Sequence, residues 1–296
     1  MLKNRAKKKK QILALLLVLP AFAIYAWMVL IPSIQTFYIS FTQWEGIGPK
    51  TLIGLANYVK IFSSQEWPLI RTALTNNILW AIVSVTLPVW LGLVLSNMLV
   101  RSRRRTAKGL QLIYFLPQVV SMVVAAIAWS WLYNPLTGPL TGFVSSLGIK
   151  APAGLLGSKQ TVIPALLIVN VWLTFGFSCL IYTSAIQNID ESIYDAAKVD
   201  GVNAVQEFFS ITVPGVRGTT TTLTLLMLIS SFKVFDLVYT MTNGGPANSS
   251  MVISLYAYKE GFLYNHVGYA AAVTIVMSIL LLVLSQVYMR LRARKD

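Results

Sequence analysis

Six long apolar stretches constrain the fold of this chain more than any other feature of its sequence. Each is long enough to cross the hydrocarbon core of a bilayer, which requires about 20 helical residues. The stretches are continuous rather than alternating, and a helix satisfies its backbone hydrogen bonds within one segment, so helices are favoured over a barrel. The sequence therefore predicts an all-α, polytopic membrane protein. Its six transmembrane helices, called spans one to six, are predicted at residues 11–31, 72–100, 110–133, 161–186, 219–239 and 269–289.

The composition agrees with this class and differs from that of a soluble domain. Hydrophobic residues make up 56% of the chain and charged residues only 11%. A formal net charge of +14 raises the question of nucleic-acid binding, but the basic residues lie beside the spans and not along a soluble face. We attribute the charge to topology and to anionic membrane lipid, and expect no nucleic-acid partner.

The basic residues also predict the orientation. They cluster at the N-terminus, after span two and at the C-terminus, and the positive-inside rule places all three clusters in the cytoplasm. Both termini and the loop between spans four and five are then cytoplasmic, whereas residues 32–71, 134–160 and 240–268 face outward. A cleaved secretory signal remains an alternative to span one. The clusters are Lys3, Arg5, Lys7, Lys8, Lys9 and Lys10; Arg101, Arg103, Arg104, Arg105 and Lys108; and Arg290, Arg292, Arg294 and Lys295.

The loop between spans four and five is unusually polar for this chain. This polar loop, residues 188–214, begins with Asp190, which is a suitable N-cap for a short helix. Gly201 is well placed to end that helix in the left-handed conformation. The pattern predicts a first short helix between these two residues.

A second short helix is predicted directly after the first. Asn203 followed three residues later by Gln206 resembles a capping box. We expect this helix to stop near Val213, because Pro214 disfavours helical geometry at the residue before it.

The side chains of the polar loop suit contact with another protein. Small residues let a partner approach the backbone, apolar residues can anchor in a groove, and acidic residues can pair with basic groups. The alternative is that the loop lies on the membrane or packs against the chain's own helices. The small residues are Ala196, Ala197 and Ala204; the apolar ones Ile193, Tyr194, Val199 and Phe208; the acidic ones Asp195 and Asp200.

Residues typical of catalysis or metal binding are sparse. The single cysteine, Cys179, lies in span four, and the single histidine, His266, lies in an outward loop without further ligands near it in sequence. No GxxxxGK[ST] phosphate loop occurs. We therefore expect no catalytic residues, no metal site and no bound cofactor on this chain.

Several motifs resemble those of binding-protein-dependent ABC importer permeases. The polar loop is similar to their EAA loop, with Asp195-Ala-Ala, Gly201 and an Ile-x-x-Pro end at Pro214; Asp195 replaces the more usual Glu. Motifs elsewhere resemble the carbohydrate-uptake permeases related to maltose and glycerol-phosphate transporters. They are Phe115-Leu-Pro117 with Trp129, Tyr133-Asn-Pro135 and Gly138; Trp172 with Gly176-Phe177; and Phe235-Asp236 with Tyr239, Thr242, Gly244-Gly245-Pro246, Tyr256 and Gly268-Tyr269-Ala270.

The resemblance implies a type I ABC importer permease in a prokaryotic plasma membrane. Residues 1–10 would be a basic cytoplasmic segment and residues 11–296 one permease domain, with residues 187–217 as the loop that couples it to an ATPase. The implied partners are a second permease subunit, an ABC ATPase dimer that binds ATP and Mg²⁺, an extracytoplasmic substrate-binding protein, and membrane lipid. The implied coupling residues are Tyr194, Asp195, Ala196, Ala197, Asp200, Gly201 and Pro214.

Two charges inside span five admit two interpretations. Lys233 and Asp236 are three residues apart, so they can neutralise one another on one helix face and brace the helices. Alternatively, this face borders the path of a transported carbohydrate, and Asp236 and Tyr239 can bind sugar hydroxyls. Trp172 can stack on a sugar ring, although packing or a membrane-interface belt also uses such aromatic residues. An ion-coupled secondary transporter of a polar solute is the alternative function, and it would need no ATPase.

Overall fold

The computed structural model describes residues 16–102, 104–148 and 154–293. In this part of the chain most residues are helical, and one two-stranded ribbon is present. The predicted basic segment at residues 1–10, the first five residues of span one, and Arg103, Arg294 and Lys295 lie outside the described residues.

The described elements are numbered here in chain order. The strands are β1 (Thr42–Gln43) and β2 (Thr51–Leu52). The helices are α1 (Leu16–Ile39), α2 (Ala56–Ile61), α3 (Trp67–Arg101), α4 (Arg104–Val119), α5 (Met122–Leu132), α6 (Pro139–Ser146), α7 (Val162–Gln187), α8 (Glu191–Val199), α9 (Ala204–Glu207), α10 (Val213–Gly215), α11 (Arg217–Phe232), α12 (Asp236–Thr242), α13 (Ile253–Tyr258) and α14 (Val267–Ala293). Short π-helical turns lie at Ala26–Leu30, Phe208–Thr212 and Lys259–Leu263.

Four of these helices, α1, α3, α7 and α14, are each long and apolar enough to cross a membrane. Two further spans are bent pairs: α4 and α5 meet at 95°, and α11 and α12 meet at 43°. Counting each pair as one span gives six, which confirms the all-α, six-span class. Spans three and five are each interrupted within the predicted stretch, span three at residues 120–121 and span five at residues 233–235.

Several predicted span boundaries also differ from the structure. α1 continues to Ile39, although span one was predicted to end at residue 31. The polar side chains that appeared to end it are satisfied within the helix, because Ser33 donates to the Val29 carbonyl and Thr36 donates to the Pro32 carbonyl. α3 likewise begins at Trp67, five residues before the predicted start.

The chain divides into two compact units. The first comprises the described residues up to Ser63 together with Ala257–Val276. Here β1 pairs antiparallel with β2, and the Asn57 amide donates to the carbonyls of Ser40 and Thr42 at 3.0 and 2.9 Å. A Cβ atom on Gly268 would lie 1.9 Å from the Thr42 carbonyl oxygen, so only glycine fits there.

The second unit comprises Ser64–Tyr256 and the described residues from Met277 onward. In it, α3 and α7 cross closely, because a Cβ on Gly92 would lie 2.5 Å from the Ser178 Cβ. α4 approaches α7 in the same way, since a Cβ on Gly176 would lie 1.8 Å from the Tyr114 carbonyl oxygen. Both crossings therefore require glycine, and they place the three helices in backbone contact.

A core cluster in the second unit reaches from the spans to the polar loop. Its buried members come from α3, α7 and α11 and from the residue between α10 and α11, and loop residues Ile189, Phe208 and Val213 pack against it. The loop is therefore attached to three spans by apolar contact. The buried members are Val89, Leu93, Tyr182, Ile186, Val216, Leu223 and Met227.

Candidate functional site

The first helix of the polar loop, α8, has the predicted ends. The Asp190 carboxylate accepts a hydrogen bond from the Ser192 N–H at 3.0 Å, and hydrogen bonding to Ser192 lowers the pKa of this carboxyl group. At the other end Gly201 has φ +75°, as predicted. The N–H groups of Gly201 and Val202 donate to the carbonyls of Lys198 and Ala197, which is the Schellman pattern.

The second helix begins as predicted, and the helical run that it starts continues beyond Glu207 to Gly215. The Asn203 side chain accepts from the Gln206 N–H at 3.0 Å, and the Gln206 side chain accepts from the Asn203 N–H at 2.9 Å, completing the capping box. The prediction that it stops near Val213 was wrong. A π-helical turn at Phe208–Thr212 leads into α10, and Pro214 falls in the first turn of α10, where a proline without an N–H is tolerated.

The predicted coupling residues lie on two sides of this helix pair. Asp195, Ala196 and Asp200 are exposed, as are Gly201 and Pro214. Their exposure makes them accessible to another protein.

Tyr194 and Ala197 face the chain itself. Ala197 is 7% exposed, and the Tyr194 hydroxyl hydrogen-bonds the Thr212 hydroxyl at 3.1 Å. Tyr194 therefore joins α8 to the π-helical turn that follows α9, and neither residue presents much surface outward.

Asp195 has a partner within its own helix. Its carboxylate lies 2.8 Å from the Lys198 ammonium, with both side chains more than 60% exposed, and this pairing raises the pKa of Lys198. An exposed pair of this kind is weak, so Asp195 can exchange it for a basic group on a partner at little cost.

Exposed apolar side chains cover the outer surface of the helix pair. Ile193 is 49% exposed and Val199 is 88% exposed, as expected for anchors. Phe208, expected to be an anchor, instead packs against the core cluster, and its neighbour Phe209 is 57% exposed. Sequence reasoning also missed Val205, which is 65% exposed and four residues before Phe209, a spacing that places both on one side of a helix.

An ion pair connects the polar loop to span two. The Arg101 guanidinium at the end of α3 lies 2.7 Å from the Glu207 carboxylate at the end of α9, whose side chain is 13% exposed. Together with the core cluster, this pair means that a displacement of the loop acts on α3 directly.

The interruption of span five separates its two charges. Lys233 caps the end of α11 and Asp236 begins α12, so they do not share one helix face, and the predicted pairing between them was wrong. Both side chains are exposed, and among the described residues neither forms an ion pair with the other. Tyr239 is 42% exposed, and its ring stacks on that of Phe235 with centroids 5.2 Å apart.

Buried polar side chains from other helices stabilise this interruption. Asn77 of α3 is fully buried; it donates to the Ser231 carbonyl at 3.1 Å and accepts from the Ile253 N–H at 2.9 Å. The Ser254 hydroxyl donates to the Val234 carbonyl. A helix broken inside a bilayer needs such partners for its freed carbonyl groups. Sequence reasoning missed Asn77, although a polar residue inside an apolar span was a usable signal.

Trp172 belongs to a separate aromatic cluster. Its ring lies edge-on to that of Trp129, with centroids 5.5 Å apart, and Trp129 in turn contacts Tyr133 at 5.4 Å. The Tyr133 hydroxyl donates to the Ala165 carbonyl, which fixes this end of α5 against α7. Trp172 is half-buried, so part of its ring remains accessible.

The Gly244-Gly245-Pro246 segment forms the predicted turn. Gly244 has φ +85°, and the Ser250 hydroxyl donates to the Gly245 carbonyl at 2.6 Å. In the first unit His266 lies 2.8 Å from Glu260, and the described residues contain no group of three or more potential metal ligands.

Comparison with known proteins identifies a family. Residues 84–295 match the model of "Binding-protein-dependent transport system inner membrane component". The probable ABC transporter permease protein YurN of Bacillus subtilis is 34% identical over 95% of this chain and 96% of its own length. The trehalose/maltose transport system permease protein MalF of Thermococcus litoralis is 31% identical over 100% and 99%. The lactose transport system permease protein LacF of Rhizobium radiobacter is 31% identical over 91% and 90%.

A solved structure shows the same fold. A chain of a bacterial ABC transporter involved in the import of alginate superposes with a TM-score of 0.82, at 24% identity, over 98% of each chain. The fold described above is therefore shared with a chain of that transporter.

Proposed function

Because this chain belongs to the family of binding-protein-dependent transport system inner membrane components, we propose that it is the permease subunit of an ATP-driven importer that moves a carbohydrate or polyol into the cytoplasm. The polar loop carries this proposal. It is a preformed helix pair with exposed apolar, small and acidic side chains, and it is anchored to the spans by the core cluster and by Arg101–Glu207.

The loop receives movement from a separate ATPase. Ile193, Val199, Val205 and Phe209 enter a groove on that subunit, and Asp195 exchanges Lys198 for a basic group there. ATP and Mg²⁺ are bound and hydrolysed on the partner, and this chain contributes no hydrolytic chemistry.

Transport follows an alternating-access mechanism. Closure of the ATPase dimer displaces the polar loop, and the core cluster transmits the movement to α3, α7 and α11. These helices rock against a second permease subunit, so that the path opens first outward, to receive cargo from a substrate-binding protein, and then inward. The membrane is the prokaryotic plasma membrane, with both termini in the cytoplasm.

The substrate path runs past the interruption of span five. The exposed charges of Lys233 and Asp236 are costly against lipid and suit a polar path or a subunit interface. Asp236 and Tyr239 bind sugar hydroxyls, and the accessible part of the Trp172 ring stacks on a sugar face. The names of the trehalose/maltose and lactose permeases support a carbohydrate substrate.

An ion-coupled secondary transporter is the second candidate. The two broken spans favour it, because interrupted helices often form the binding sites of such carriers. Depleting ATP while keeping the ion gradients separates the two: uptake stops in the proposed importer and continues in a secondary carrier.

The test is uptake of a panel of labelled mono-, di- and oligosaccharides and polyols by cells that carry the complete transporter. Asp195→Lys reverses the charge offered to the ATPase and places it beside Lys198, so we expect uptake to be abolished while the protein still inserts in the membrane. Lys198→Ala is the matched control, since it breaks the same ion pair without reversing the acidic charge, and it should leave uptake near the wild-type rate. Unchanged uptake by Asp195→Lys would contradict docking through this loop.

A further inference from the structure

A cavity of about 470 Å³ opens among α3, α7, α10, α11 and the last turns of α14, apart from the proposed substrate residues. Two basic side chains line it, Arg217 at the start of α11 and Arg292 near the end of α14. No acidic side chain is among the described residues that line it. The charged side chains that line the cavity among the described residues are therefore both basic, and the cavity suits an anion.

A hydroxyl group inside the cavity lacks a partner. Tyr288 lines the wall, its hydroxyl oxygen is buried, and it has no hydrogen-bond partner among the described residues. The Arg292 guanidinium lies 5.8 Å from the centre of the Tyr288 ring, so the two side chains are neighbours on the same wall. Buried hydroxyl groups are nearly always hydrogen-bonded in native proteins, and this one is therefore positioned to donate to a ligand.

The remaining wall is apolar. Val85, Val89, Trp90 and Leu93 of α3 form one side, and Trp90 is 49% exposed at the rim. A ligand that fills this space needs an anionic group at one end and an apolar portion at the other. A free inorganic anion would leave the apolar side empty, whereas a phospholipid has both parts.

We propose that this cavity binds an anionic phospholipid from the cytoplasmic leaflet, with its phosphate group held by Arg217, Arg292 and the Tyr288 hydroxyl and an acyl chain along α3. The assignment to the cytoplasmic leaflet rests on the proposed function, in which the start of α11 and the end of α14 lie at the cytoplasmic surface. Basic pockets between transmembrane helices on that side commonly bind such headgroups. Pro214 also lines the cavity, so the lipid sits beside the last turn of the polar loop.

The experiment uses the complete transporter in detergent after removal of lipid. It is incubated with dioleoylphosphatidylglycerol, dioleoylphosphatidylcholine or inorganic phosphate, and bound ligand is counted by native mass spectrometry. We expect phosphatidylglycerol to be retained, Arg292→Gln to lower its affinity about tenfold through the loss of a charge-assisted hydrogen bond, and Tyr288→Phe to lower it by roughly threefold. Arg290→Gln is the matched control, because Arg290 lies on the same turn but does not line the cavity. The affinity of this variant for phosphatidylglycerol should be unchanged.

Three results would overturn the proposal. They are retention of phosphatidylcholine as strong as that of phosphatidylglycerol, an equal loss of phosphatidylglycerol affinity in Arg290→Gln and Arg292→Gln, or displacement of phosphatidylglycerol by inorganic phosphate. If Arg292→Gln does not assemble, Tyr288→Phe decides the question, since it removes one oxygen atom, and unaltered affinity would then disprove the site. The readout requires no transport, so loss of the lipid site and failure of the carbohydrate function are separately visible.

Discussion

The polar loop and span five are both helical segments interrupted by a break, but the breaks are stabilised in opposite ways. In the loop, Asp190, Gly201 and the Asn203–Gln206 capping box satisfy the helix ends with residues at most five positions away. In span five, the freed carbonyl of Ser231 is satisfied by Asn77, which is 154 positions distant. The first break is thus a property of its own sequence, and the second depends on the packing of the whole unit.

The largest effect is expected where the loop depends on a single residue. Gly201→Val forces a β-branched side chain into the left-handed region, at a cost of about 1–2 kcal/mol, and should displace α9 and abolish uptake. Gly201→Asn should retain uptake, because asparagine tolerates this conformation. Uptake and membrane insertion are measured for both variants. Equal uptake by Gly201→Val and Gly201→Asn would show that transport does not require the left-handed turn at residue 201.

A second substitution tests the break in span five. Asn77→Leu leaves the Ser231 carbonyl and the Ile253 N–H without their partner, at a cost of about 1–3 kcal/mol for each buried group. We expect a clearly lower unfolding temperature in detergent. Asn97→Leu makes the same chemical change at a half-exposed position of α3 and should shift that temperature little. A similar shift in both variants would contradict the special dependence of this break on Asn77.

The charge at the break provides a finer test. Asp236→Ala should raise the KM for the carbohydrate about tenfold while leaving the amount of protein unchanged, because the proposed hydrogen bond from a sugar hydroxyl to the charged carboxylate would be lost. Lys233→Ala is the comparison, since it removes the neighbouring charge on the other helix. Lower protein abundance with an unchanged KM would instead indicate that Asp236 braces the helices.

The smallest effect concerns the N-cap of α8 and depends on pH. The pKa of Asp190 is lower in the folded loop than its ordinary value, so its stabilisation is present above the ordinary pKa and is lost as the pH falls through the lowered one. The protection of the Glu191–Val199 amides, which is their exchange rate relative to the intrinsic rate at the same pH, should therefore fall in acid, below about pH 4. Asp190→Asn keeps an acceptor that does not titrate, and it should remove this acid dependence. If the pH dependence of this protection is the same in Asp190→Asn as in the wild type, the cap is not its source.

These two regions also show which parts of the structure are readable from sequence. The six spans followed from hydrophobic length, and the caps of α8 and α9 followed from local residue chemistry, so they were predicted correctly. The 95° bend follows Pro117, in the last turn of α4, by three residues, a signal that sequence reasoning did not use. The 43° bend was not predicted, because the residues at 233–235 contain neither a proline nor a glycine. Such a break forms where distant side chains donate hydrogen bonds to the freed carbonyl groups, and a single sequence does not reveal those pairs.

Within the loop, the exposed surface was only partly predictable. Ile193 and Val199 followed from the pattern, but Phe208 and Phe209 are adjacent and chemically identical. The π-helical turn at Phe208–Thr212 rotates one ring toward the core cluster and leaves the other outside. A regular helix points adjacent side chains about 100° apart. The π-helical turn shifts this periodicity, so the period alone does not tell which ring faces the core cluster.

The glycine contacts of the second unit have a mechanical consequence. At Gly92 and Gly176 the helices meet through backbone atoms, so no layer of side chains between them can rotate or slide when a force arrives. After Val119 the chain turns by 95°, so α5 leaves the group of α3, α4 and α7 almost at right angles to α4.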